Sequence, residues 1–82
     1  MKKTIFITGA AKRIGKAIAL TFKDLGWNII IHYNSSKKDA DELASKINKD
    51  NPDTARTVQG NLDKKADIVK ILNDINDMFP SL

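Results

Sequence analysis

Two triplets of consecutive apolar residues, Ile5-Phe6-Ile7 and Ile29-Ile30-Ile31, flank a single amphipathic stretch. An unbroken apolar run this short fits a strand buried on both faces, as in a parallel sheet covered by helices. The pattern predicts strands at Lys3–Thr8 and Asn28–Tyr33, and a shorter one at Ala55–Gln59. Over Arg13–Leu25, the residues Ile14, Ala17, Ile18, Thr21, Phe22 and Leu25 recur at helical spacing, and Gly26 fits the stop. Ser36, with Asp39 three residues on, predicts a capped second helix. Its stripe is Ala40, Leu43, Ala44 and Ile47, and Asn51-Pro52 ends it. Asp63 is expected to cap a third helix with Ile68, Ile71, Leu72, Ile75 and Phe79 on its apolar face, closed by Pro80. The order strand–helix–strand–helix–strand–helix is half of a doubly wound α/β sheet. Crossovers between parallel strands are right-handed, so the first two helices are expected on one face and the third on the other.

Composition narrows the chemistry. The chain has 82 residues, no internal repeat and no linker, so 1–82 reads as one incomplete domain. It has no Cys and a single His, which excludes disulfides and thiolate metal centres and disfavours an all-protein transition-metal site. No apolar run approaches the roughly 20 residues that span a bilayer. The opening Met-Lys-Lys-Thr mimics a signal peptide, but Gly9 and Lys12-Arg13 interrupt any apolar core, so a cytoplasmic protein is expected. The net charge of +4 is uneven: residues 1–38 carry eight basic side chains against Asp24 alone, and residues 39–82 carry six against nine acidic ones. A basic half attracts nucleic acid, an acidic lipid surface or a phosphorylated small molecule.

The turn after the first strand decides among these. Thr8-Gly9-Ala10-Ala11-Lys12-Arg13-Ile14-Gly15 joins a buried strand to an amphipathic helix. Gly9 permits a tight turn, and amides at the helix start can meet a diphosphate. A P-loop does not fit, because five residues separate the glycines and Gly15-Lys16 is followed by Ala17, which has no hydroxyl for magnesium. The usual Gly-x-Gly-x-x-Gly fingerprint is also absent.

The segment resembles the Thr-Gly-x-x-x-Gly-x-Gly motif of the short-chain dehydrogenase/reductase family. Thr8, Gly9 and Gly15 take its first, second and last places, and Arg13 stands where the middle glycine is usual. Together with His32-Tyr33-Asn34-Ser35-Ser36 after the second strand, it looks like the pteridine reductase branch. Reductases of acyl-carrier-protein substrates share much of the pattern. The resemblance implies a dinucleotide cofactor held by Thr8, Gly9, Arg13, Ile14, Gly15, His32, Tyr33, Asn34, Ser35, Ser36, Asn61 and Leu62. Residue chemistry then favours NADP over NAD. An NAD site ends its second strand in a carboxylate that binds the ribose hydroxyls. Here the strand ends in Tyr33-Asn34, with no carboxylate before Asp39. Arg13 can grip a 2′-phosphate in a bidentate way. Asn61 stands where the family usually has Asp, and its carbonyl oxygen can accept from the adenine amino group.

The resemblance also implies residues that these 82 do not contain: a later strand with Asn-Asn-Ala-Gly, a catalytic Ser and a Tyr/Lys pair. Tyr33 and Lys37 have the Tyr-x-x-x-Lys spacing by coincidence, because Tyr33 closes a strand. The chain thus reads as the NADP-binding portion of an oxidoreductase that transfers hydride to a pteridine-like or carbonyl substrate. Alone it is expected to be inactive, with the full-length form a homo-oligomer. A stand-alone nucleotide-binding or regulatory module is the alternative. A nucleic-acid binder is a weaker one, since no helix concentrates Arg and Lys on one face. The first strand, central in the family, is expected to be an edge here and prone to self-association.

Overall fold

A computed structural model describes residues 3–9 and 13–78. The elements follow the expected order: β1 (Thr4–Thr8), α1 (Arg13–Asp24), β2 (Asn28–Tyr33), α2 (Lys37–Asp50), β3 (Ala55–Gln59) and α3 (Lys65–Met78). The three strands form one parallel sheet in the order β1-β2-β3. Phe79 and Pro80, expected to complete and close the last helix, lie outside the described residues.

Alternation along the strands divides the core between the two faces of the sheet. Ile7, Ile29, Ile31 and Ala55 pack with Ala19 of α1 and with Ala40, Leu43, Ala44 and Ile47 of α2. Ile30 and Val58 point the other way, onto Ile71 of α3. The two crossover helices α1 and α2 therefore share one face, as the right-handed rule requires, and α3 lies on the other.

The end of α1 shows how local sequence sets geometry. The Gly26 N–H donates to Lys23 O at 3.0 Å and the Trp27 N–H to Phe22 O at 3.0 Å. Gly26 has φ +81°, the left-handed conformation in which glycine carries no steric cost. This is a Schellman stop, and its usual apolar contact is present: the Phe22 and Trp27 rings meet edge-on at 4.8 Å. The helix closes at Asp24, one residue before the expected Leu25. At the sheet's amino end, Asn48 of α2 holds the turn into β3. Its Oδ1 accepts from the Thr54 and Ala55 N–H groups at 2.9 and 2.8 Å, and its Nδ2 donates to Ala55 O at 2.9 Å.

Two expected caps are corrected. Ser36 is the N-cap of α2, and its carbonyl accepts from the Ala40 N–H at 3.0 Å, but its side chain makes no cap hydrogen bond. With ψ at 53° the residue is outside the extended region that aims an N-cap side chain at the first turn, so no capping box with Asp39 forms. Asp63 does not cap α3. Asn61 Oδ1 takes the Asp63 N–H at 2.9 Å in an Asx turn, and the Ile68 N–H donates to Lys64 O, so the helix starts at Lys65.

Candidate functional site

Parallel strands bring their carboxyl ends to one edge of the sheet, where ligands of such folds bind. The ends are level here: Thr8 pairs with His32, and His32 with Val58. The edge is therefore made of Thr8-Gly9, Tyr33-Asn34 and Gln59-Gly60, with the starts of α1, α2 and α3 behind it.

At β1, Thr8 and Gly9 are exposed. Gly9 has φ +64°, and a Cβ placed on it would meet nothing within 4 Å. Glycine is thus favoured by the backbone turn, and no side chain among the described residues crowds it. Ile14, in the first turn of α1, has 76% of its surface exposed. Gly15 follows in the first turn of the helix, half-buried. Ala10, Ala11, Lys12 and the Arg13 side chain, which carry the middle of the turn and its guanidinium, lie outside the described residues.

At β2, Tyr33 is half-buried, Asn34 and Ser35 are exposed, and Ser36 is half-buried. No carboxylate follows the strand until Asp39 in the first turn of α2. The Ser36 hydroxyl, not used as a cap, is available to another partner. Lys37 is exposed and paired at 2.6 Å with Asp41 one turn along the helix. The hydrogen bond and charge of Asp41 hold the Lys37 ammonium above its ordinary pKa. Tyr33 ends β2 and Lys37 opens α2, so the two do not lie one turn apart on a single helix.

At β3 the edge is the most constrained. The Gln59 side-chain amide donates to Asn34 O at 3.1 Å, and the Gly60 N–H donates to Tyr33 O at 3.1 Å, extending the ladder by one rung. The Asn61 N–H donates to Asp67 Oδ2 at 2.8 Å. Asn61 Oδ1 already accepts the Asp63 N–H, leaving one lone pair for any base. Leu62 is half-exposed and faces a groove of about 300 Å³ with Phe6, Ile68, Ile71, Leu72 and Ile75. His32 is 6% exposed and tied to the carbonyl of Gly60.

The structure thus gathers Thr8, Gly9, Ile14, Gly15, Tyr33, Asn34, Ser35, Ser36, Asn61 and Leu62 along one edge, with His32 beneath it. Sequence reading missed Asp67 and the His32–Gly60 bond. Their signal is weak, because the partners are 6 and 28 residues apart and no local pattern joins them. Among the described residues, no helix is long and apolar enough to cross a membrane.

Comparison with known proteins agrees with this geometry. Residues 3–82 match the short chain dehydrogenase family model. Pteridine reductase 1 of Leishmania tarentolae is 42% identical over 60 residues, 73% of this chain and 21% of that protein. The uncharacterized oxidoreductase YmfI of Bacillus subtilis is 36% identical over 75 residues, 92% of this chain and 31% of that protein. The 3-oxoacyl-[acyl-carrier-protein] reductase FabG of Staphylococcus aureus is 28% identical over all 82 residues, 33% of its own length. The chain spans between about a fifth and a third of these relatives. A left-handed glycine directly after the first strand, a parallel β1-β2-β3 sheet and a family match over nearly every residue place this chain in the short-chain dehydrogenase family of oxidoreductases.

Proposed function

We propose that this chain holds the adenosine and diphosphate of NADP for an oxidoreductase that reduces a C=N or C=O bond, with pteridine-like or carbonyl compounds as the substrate class. The observation that carries the reading is the carboxyl edge itself. Gly9 is left-handed, with no atom of the described residues within 4 Å of where a Cβ would stand, and β2 leads into Asn34-Ser35-Ser36 without a carboxylate. A ribose 2′-phosphate beside an Asp or Glu would be repelled, whereas hydroxyls and the amino end of α2 favour it. Arg13 of the glycine turn supplies the guanidinium that recognises this phosphate in a bidentate way. A charge-assisted bond contributes about 1.5–3 kcal/mol, roughly ten- to a hundredfold in preference. The similarity to a pteridine reductase supports the substrate class.

Dinucleotide reductases supply hydride from the nicotinamide, and the protein supplies position and a proton donor. The residues of this chain contribute to binding. The Ser and the Tyr/Lys pair of the family are not among its 82 residues, so by itself it oxidises no NADPH. The full-length form works as a soluble, cytoplasmic homo-oligomer. Calorimetric titration with NADP, NAD and ATP tests the reading. NADP is expected to bind best and Arg13→Ala to abolish its advantage. Equal binding of NADP and NAD, unchanged by Arg13→Ala, removes the cofactor assignment.

A further inference from the structure

Gly60 is the most tightly held peptide of the carboxyl edge. Its N–H donates to Tyr33 O at 3.1 Å, and the next N–H, of Asn61, donates to Asp67 Oδ2 at 2.8 Å. Its Cα is pressed onto α3, where an added Cβ would lie 2.6 Å from Ile71 Cδ1. Its carbonyl oxygen lies 2.8 Å from His32 Nε2, in a buried contact. A carbonyl only accepts, so the proton of this imidazole is on Nε2. In the neutral ring Nδ1 is then the bare nitrogen, and it is buried without a hydrogen-bond partner among the described residues.

A half-satisfied imidazole is a costly occupant of a strand whose other buried residues are all isoleucine. Leu or Ile there would fill the space beside Phe6, whose ring centre is 6.0 Å away, and would bring no bare ring nitrogen, but would take the donor away from the Gly60 carbonyl. What only the imidazole adds is the bond to Gly60 O. That bond fixes the plane of the peptide joining Gly60 to Asn61, and so the direction in which Asn61 and Leu62 leave the sheet.

We infer that His32 is a positioning residue for the base-binding side of the nucleotide site. It does not touch the ligand. It holds the turn after β3 so that Asn61 and Leu62 stand at the edge beside Tyr33-Asn34-Ser35. The inference rests on the nucleotide reading above, and its test separates the two. Two variants are compared with the parent chain: His32→Leu removes the donor, and His32→Gln keeps an N–H donor at similar reach. The probes are 2′,5′-ADP, which carries a base, and inorganic pyrophosphate, which does not. His32→Leu is expected to weaken 2′,5′-ADP about tenfold, the value of one well-placed hydrogen bond, with pyrophosphate unchanged. His32→Gln is expected to restore most of the loss. General loosening of the fold would weaken both probes and would not be rescued by Gln.

Measurements without ligand complete the test. Nitrogen NMR is expected to find the His32 proton on Nε2, and amide exchange at Gly60 and Asn61 to quicken in His32→Leu and recover in His32→Gln. A proton on Nδ1, exchange indifferent to substitution, or equal 2′,5′-ADP affinity in all three proteins overturns the inference while leaving the nucleotide site intact. If the parent binds neither probe but exchange responds as expected, the nucleotide reading fails and His32 stands as the clamp of the turn.

Discussion

The two faces of the sheet are made from alternate residues of the same three strands, yet one is sealed and the other is open. Under α1 and α2, Ile29 and Ile31 are fully buried against Ala40, Leu43, Ala44 and Ile47. Under α3 the buried set shrinks to Ile30, Val58 and Ile71, while Phe6 and Leu72 remain 40% and 60% exposed around the groove. The strands are themselves less apolar on that side, where Thr4, Thr8, Asn28, His32 and Arg56 share the face with Phe6, Ile30 and Val58, so the difference is one of composition as well as coverage. Two helices lie over one face, whereas α3 packs chiefly on β3 and covers Phe6 of β1 only in part. The sealed face should therefore carry the stability of the chain, and the open face its tendency to associate.

Substitution on the sealed face should cost most. Ile31→Ala removes buried methyl groups where backbone neighbours on both sides prevent collapse, and about 2–5 kcal/mol is expected. Small domains have only about 5–15 kcal/mol in total, so urea unfolding should show a marginal or unfolded protein. Asn48→Ala comes next. It strands the Thr54 and Ala55 N–H groups and the Ala55 carbonyl at the turn into β3, at about 1–3 kcal/mol for the groups left dry. A loss at Asn48 larger than at Ile31 would mean that the turn, and not the covered face, governs cooperativity.

Gly60→Ala probes the boundary between the faces. The new Cβ meets Ile71 Cδ1 at 2.6 Å, so the isoleucine must shift within a packed cluster, at about 1–3 kcal/mol. Ile71→Val deletes the clashing atom. In the double variant the cost of Gly60→Ala should fall, giving a coupling measurable by a thermodynamic cycle. Strictly additive losses would show that the chain relieves the contact elsewhere.

Much of this was legible in the sequence, for a physical reason. Strand and helix periods, Gly26 and the division of faces are local or pairwise consequences of burial, and an apolar triplet such as Ile29-Ile30-Ile31 declares them directly. The site's outline followed, because parallel strands must deliver Thr8-Gly9, Tyr33-Asn34 and Gly60 to one edge. What sequence could not give is which polar side chain answers which backbone group. Ser36 has the right chemistry for a cap but the wrong ψ, and Asn61 pre-empts Asp63 by bonding two residues ahead. The Nε2 of His32 finds a carbonyl 28 residues away only after the sheet has formed.

The smallest effect on folding should accompany the largest effect on assembly. Among the described residues β1 pairs on one side only, which leaves the N–H and C=O groups of its other edge without a strand partner there. Its sequence, Thr4-Ile5-Phe6-Ile7-Thr8, reads the same in both directions. An antiparallel pair of such strands about Phe6 sets Thr4 against Thr8 and Ile5 against Ile7, and each like pair contributes roughly 0.2–1 kcal/mol. The exposed apolar residues of the α3 face extend the same seam, and a twofold interface uses one patch twice. Sedimentation velocity of this polypeptide is therefore expected to show concentration-dependent self-association. Leu72→Lys, at a 60% exposed helix position, should change unfolding free energy by no more than about 0.5 kcal/mol. It should nevertheless shift the association curve to higher concentration. A polypeptide that stays monomeric, or a variant that loses stability as Ile31→Ala does, would show that the α3 face is closed in solution and that the asymmetry between the faces has no energetic consequence.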